Sequence, residues 1–194
     1  MAKDLVEQTH NALQFVQKLY LETFYLIKEI EGLLTEEDFK ILKPNAYKVS
    51  AKTSTSLETW GVEEWLPKTL TVCFCKKELI DGKSKTTTKF KPDLKLIILH
   101  IGIFDKEFNQ PRLLIGVLKN IINKNKNVTR FEKHMWEFAY NWRKIFSNIP
   151  DIVYSDNQVE FEGKIIKRNL LDINSSVDLK EKVINPVIEL YEKM

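Results

Sequence analysis

Glycine, cysteine and arginine are all scarce in this chain of 194 residues, and each shortage excludes something. Six glycines supply no Walker loop and no Gly-x-Gly-x-x-Gly, so no cradle of backbone amides for a nucleotide phosphate is encoded. Two cysteines cannot make a disulfide framework. Cys73 and Cys75 stand two apart in TVCFCKK; on a strand their Cα atoms lie roughly 7 Å apart, beyond an unstrained bridge. His10, His100 and His134 fall in separate elements, so zinc-ligand spacing is missing as well. Both cysteines are expected to be inert, half-buried thiols, and no cofactor or metal is expected.

Arginine numbers four (Arg112, Arg130, Arg143, Arg168) against 26 lysines. Arginine is the usual reader of guanine edges and the bidentate clamp on phosphate, so a reader of base sequence would carry more of it. The 30 basic and 27 acidic residues nearly cancel, leaving a formal charge of +3. No apolar run approaches the ~20 residues of a membrane span. The opening MAKDLVEQTHNALQ lacks the basic-then-apolar order of a signal peptide, and a cytoplasmic protein is the expectation. With 43% apolar and 29% charged residues the composition is that of an ordered globular protein.

What the chain does have is a long amphipathic opening. Residues 3 to 33 contain no proline, and no glycine before Gly32. Val6, Leu13, Tyr20, Ile27 and Leu34 form one apolar row, Leu5, Ala12, Leu19, Leu26 and Leu33 the adjacent one; Val16 and Ile30 widen the face and Thr9 and Thr23 interrupt it. A helix of that length runs ~45 Å, about the diameter of a compact domain of this size. It either spans the body or projects from it. Phe15, Leu21 and Tyr25 lie outside the main face and are candidates for a second contact surface.

Further along, LTEEDFKILKP predicts a short helix over 36–42, with Thr35 and Asp38 resembling a capping box and Pro44 ending it. AYKVSAKTST (46–55) reads as a strand. TSLETWGVEEWLPK is the longest candidate loop, and Trp60 and Trp65 within it are candidate binding residues, since tryptophan is enriched in binding hot spots. Residues 68–76 return to strand, Asp81-Gly82 signals a hairpin, and the run Leu96 to Phe104 predicts a strand covered on both faces. Pro111 and the spacing of Leu114, Val117, Leu118, Ile121 and Ile122 predict a helix over 111–122, with a strand as the competing reading.

Thr129 and Glu132 form a Thr-x-x-Glu capping box opening a helix to about Phe146, its core stripe being Phe131, Met135, Phe138, Trp142 and Ile145. Residues 151–168 read as short strands with turns at Ser155-Asp156-Asn157 and Gly163. Ser175 and Asp178 start a last helix that Pro186 should kink. No repeat, linker or composition break divides the chain. The expected fold is a single α+β domain over 1–194. Its mainly antiparallel sheet of about five to seven strands packs against a long N-terminal helix, a middle helix and a C-terminal helix.

For chemistry, His100 in its apolar run reads as a core histidine, His134 as half exposed, and no Gly-x-Ser-x-Gly elbow is present. Pro92-Asp93 with Glu162-Gly163-Lys164 superficially resembles the Pro-Asp…(Asp/Glu)-x-Lys pattern of restriction-type nucleases, but Asp/Glu-x-Lys recurs at 38–40, 81–83, 93–95 and 178–180. Lysine-rich stretches are the better hint. Lys83, Lys85, Lys89 and Lys91, with Lys124, Lys126 and Arg130, would make a phosphate-attracting surface if the two segments met. The leading expectation is a non-catalytic interaction module that binds a protein or a second copy of itself through the long helix. Nucleic-acid binding of a defence or mobile-element type is the alternative, and a metal-dependent nuclease-like enzyme the third.

Overall fold

The computed structural model describes residues 2–42, 48–50, 68–80, 89–103 and 110–194. It begins with the long helix α1 (Ala2–Glu36). The helix does not yield to the short one expected over 36–42. It runs on to Glu36, and Thr35 bonds back to the Glu31 carbonyl (2.6 Å) instead of capping a new helix. Asp38 then turns the chain in the left-handed region (φ 63°), which a short polar side chain tolerates. Its carboxylate is held by Lys77 at 2.6 Å, and strand β1 (Phe39–Ile41) follows at once.

Seven strands make one antiparallel sheet. β1 and β2 (Lys48–Ser50) pair with the two ends of β3 (Thr69–Lys76), and the order continues through β4 (Leu96–Gly102), β5 (Arg112–Asn123), β7 (Val159–Asn169) and the edge strand β6 (Asp151–Ser155). Every residue of β4 is buried, as a strand covered on both faces requires. The expected Asp81-Gly82 turn lies outside the described residues, but the antiparallel pairing of β3 with β4 agrees with it.

The segment expected as a helix over 111–122 is instead the strand Arg112–Asn123. Leu113 through Leu118 are all buried, so both faces of the segment are apolar and covered, and a central strand satisfies that better than a one-sided helix. β5 pairs with β4 and β7 along its length, broken only by a bulge between Lys119 and Ile122, where Asn120 (φ 51°) turns left-handed and donates to Glu162 at 2.7 Å.

Gly163 does not mark a turn; it lies inside the continuous β7. A Cβ there would collide with the Val117 carbonyl oxygen, and one on Gly116 with that of Lys164, so both glycines serve the close approach of β5 and β7.

The 129–146 segment forms three short pieces in place of one helix. A 3-10 turn (Phe131–His134) leads into α2 (Met135–Tyr140) and α3 (Trp142–Ile145). A bridge between Lys89 and Arg130 keeps the chain extended up to residue 130, which displaces the expected cap at Thr129. The predicted stripe of Phe131, Met135, Phe138, Trp142 and Ile145 is nevertheless buried. The last helix starts where expected. Ser175 accepts from the Asp178 amide at the start of α4 (Ser176–Leu179), a π-helical turn follows over Lys180–Ile184, and α5 (Asn185–Lys193) takes Pro186 in its first turn.

Side-chain alternation sorts the layers. Phe39 packs edge-on against Tyr191 of α5 at 4.9 Å, and Lys76, its register partner, reaches over both rings. α5 therefore lies on that face, and α1 packs beside it against β1 and the turn over Lys180–Ile184. His100, paired with Thr71, meets Trp142 and Phe146 on the other, and Phe161 stacks on Phe138 there. The single α+β domain of the sequence reading stands, with the sheet between two helical layers.

Gly116→Ala and Gly163→Ala are each expected to lower stability by about 1–3 kcal/mol through backbone displacement. Urea unfolding midpoints check this, and unchanged midpoints would contradict the close approach of β5 and β7.

Candidate functional site

α1 carries one seam with two fates. Thr23, Ile27, Ile30 and Leu34, at 3- and 4-residue spacing, are buried in the core. The same spacing continued backwards gives Tyr20, Val16, Leu13, Thr9 and Val6. There the side chains emerge: Val16 and Tyr20 are half-buried, Leu13 is 61% exposed and Val6 70%, with Leu5 beside it at 65%. Every residue from Asp4 to Phe15 is exposed. An arm of roughly 22 Å, residues 4–18, thus stands clear of the described body.

Threonine does not spoil the seam. Thr9 donates to the Leu5 carbonyl (2.7 Å) and Thr23 to that of Leu19 (2.8 Å), so neither hydroxyl brings an unsatisfied donor to the apolar face. At 100° per residue Asp4, Glu7, Lys18 and Glu22 fall on the side away from the seam. Phe15, Leu21 and Tyr25 are exposed, as the sequence reading placed them. Tyr25 joins Leu19, Leu26, Leu170, Ile173 and Leu179 in lining a groove of about 390 Å³ where α1 passes the 170–179 segment.

Trp60, Trp65, Lys83 and Lys85 lie outside the described residues. The bridge of Lys89 to Arg130 does bring the two basic segments together, while Lys91 and Lys126 are exposed. The candidate Lys124 is matched locally, contacting Glu160 at 2.7 Å and Ser155 at 2.6 Å, and nearby Lys119 contacts Glu162 at 3.7 Å. Of the nuclease-like pattern, Pro92 and Glu162 line one pocket of about 510 Å³ together with Glu160. Glu160 and Glu162 face those lysines, Asp93 is exposed in a turn, and no group of three His, Cys, Asp or Glu side chains suited to a metal ion occurs among the described residues.

Three titratable groups of the core behave as packing. Burial, with some help from Cys75, pushes the Cys73 thiol far up; burial and Glu132 take Cys75 to about 12 against the pull of Lys91. The cysteines are therefore more deeply buried than the half-burial expected. His100 is the core histidine anticipated, although its Nδ1 meets the Thr71 hydroxyl (2.8 Å) in place of a backbone group; burial and then Arg112 hold it neutral, at about 3. His134, expected half exposed, is buried, because the 3-10 turn directs it inward against Phe90.

The sequence reading missed a polar cluster. Glu132, His134 and Glu137 are all buried, and Glu137 meets Tyr154 and Asn141. Its sequence signal is two glutamates interleaved with Phe131, Trp136 and Phe138 in FEKHMWEF, where a solvated helix face was the natural assumption.

Cys73 and Cys75 are expected to resist a thiol reagent in the native protein at pH 8 and to react fully in denaturant. A colorimetric thiol titration checks this; rapid native labelling would contradict their burial. Compared with known proteins, the chain matches no family model, no curated protein and no solved structure.

Proposed function

We propose that this protein is an interaction module that self-associates through the arm of α1, two copies laying their exposed seams together. The observation that carries the reading is the continuity of the seam. Residues chemically equivalent to those buried at Ile27, Ile30 and Leu34 stand exposed at Val6 and Leu13 on the same helix. Apolar surface of this kind is driven out of water at roughly 25 cal/mol per Å².

A second copy fits the seam for two reasons. The heptad positions flanking it from Leu5 to Phe24 carry no carboxylate and no ammonium, so two copies meet without like-charge repulsion. The arm of a second copy itself offers an apolar helical stripe of matching length. A pair of ~22 Å arms makes a small interface; the groove beside Leu26 and Leu170 extends it. The resulting dimer is expected to be reversible. Phosphate binding has less support, because Lys119 and Lys124 already face Glu162 and Glu160.

Sedimentation velocity tests the reading. Wild type is expected to shift from monomer to dimer with rising concentration. Leu13→Glu is expected to remain monomeric with an unchanged unfolding midpoint, since that side chain is exposed in the monomer. Ile30→Ala should do the reverse, losing roughly 2–5 kcal/mol of stability through its core cavity. A wild type that stays monomeric at high concentration contradicts the proposal.

A further inference from the structure

The cluster around Glu137 raises a question of proton count. The Tyr154 hydroxyl lies 2.9 Å from Glu137 Oε2 and 3.0 Å from Asp156 Oδ2. One hydroxyl has one proton. If both carboxyls were ionised, one of these contacts would set a hydroxyl oxygen against a carboxylate oxygen with no hydrogen between them. In a buried setting that arrangement is costly. A second proton closes the chain.

The surroundings decide which carboxyl holds it. Asp156 Oδ1 accepts two backbone amides, from Gln158 and Val159, each at 2.8 Å, and its residue is only half-buried; both favour the charged form. Glu137 is fully buried; besides the Tyr154 contact its Oε2 accepts one neutral donor, Asn141 Nδ2 at 2.6 Å, its Oε1 has no hydrogen-bond partner, and its carboxyl also meets that of Asp156. Among the described residues the charged neighbours do not reverse this. His134 lies on the same segment with both ring nitrogens buried and unpaired, held toward its neutral form by burial against the pull of Asp156. Lys144 of α3 sits over the Tyr154 ring, 5.5 Å from its centroid, and not on the carboxyl.

We propose that Glu137 is a neutral carboxylic acid at neutral pH, donating to Tyr154, which donates to Asp156, and that this chain is a pH-sensitive clamp fastening the helical segment 131–146 to the β6–β7 turn. Raising the pH removes the Glu137 proton to solvent and leaves a buried charge against the Tyr154 oxygen, which loosens the clamp. The shifts agree in direction. Burial, helped by Asp156, raises the Glu137 carboxyl above its ordinary value against the pull of the Tyr154 and Asn141 contacts; for Asp156 burial raises, but the amides of Val159 and Gln158 with Tyr154 and Glu137 outweigh it, and it is lowered. This cluster is separate from the arm, whose residues 4–15 are all exposed.

The sign of the pH dependence follows. A carboxyl raised in the folded state stabilises below its unfolded value and loses that contribution as pH rises through the folded one. Asp156 acts oppositely and only in acid, so the two separate above about pH 5. In the full-length chain, the infrared carbonyl band of a protonated acid is expected at pH 7 and should be lost in Glu137→Gln. The unfolding constant of wild type should rise with pH by up to about tenfold per unit relative to Glu137→Gln in this window.

Tyr154→Phe, which keeps the ring stack with Phe161, should shift the band without abolishing it. Absence of any acid band in wild type at pH 7 overturns the proposal whether or not the variants fold. So does a band that survives Glu137→Gln and vanishes in Asp156→Asn. A parallel pH dependence of stability in wild type and Glu137→Gln overturns the clamp.

Discussion

The helix α1 is longer than the body it packs on, and most of what is distinctive here follows from that mismatch. Thirty-five residues at 1.5 Å rise span ~52 Å, more than a compact domain of this size measures across. The sheet offers α1 an apolar surface only as far back as Thr23, with Leu19 and Tyr20 at its margin. Beyond that point the same sequence periodicity continues with nothing described beneath it. The helix persists because its anchored half provides the nucleus that a free helix of fifteen residues would lack.

The body supplies a rigid base for that projection. β4 is buried throughout and β5 from Leu113 to Leu118, and the residues of alternate parity face α5 on one side and the 131–146 segment on the other. This sandwich makes the anchored half of α1 a core element, with Ile30 and Leu34 fully buried. The two layers differ in chemistry. The α1 side is apolar, while the 131–146 side admits Glu132, His134 and Glu137 into its interior. The buried carboxyl groups of Glu132 and Glu137 are thus confined to the 131–146 side of the sheet.

Much of the fold was legible because period and capping carry local information. The seam of α1, the covered strand at Leu96, the Ser175 cap and the stripe from Phe131 to Ile145 all follow from spacing alone. What failed were readings that tertiary context decides. Leu113–Leu118 suits a helix and a central strand equally, and only the neighbouring β4 and β7 select the strand. Thr129 and Glu132 have the form of a cap, but the bridge at Arg130 holds the backbone extended. Gly163 looked like a turn because a need for close backbone approach leaves the same residue type in the sequence. For the candidate site, the exposure of Phe15, Leu21 and Tyr25 was legible from helical angle. The Glu137–Tyr154–Asp156 contacts were not, since they join residues from different elements.

Hydrogen exchange of the α1 amides, followed as protein concentration is raised, tests the central account most directly. The account predicts slow exchange from Thr23 onward at every concentration, and for residues 4–18 a protection that grows with concentration. Exchange in the arm that is equally slow, or equally fast, across the whole concentration range would contradict it.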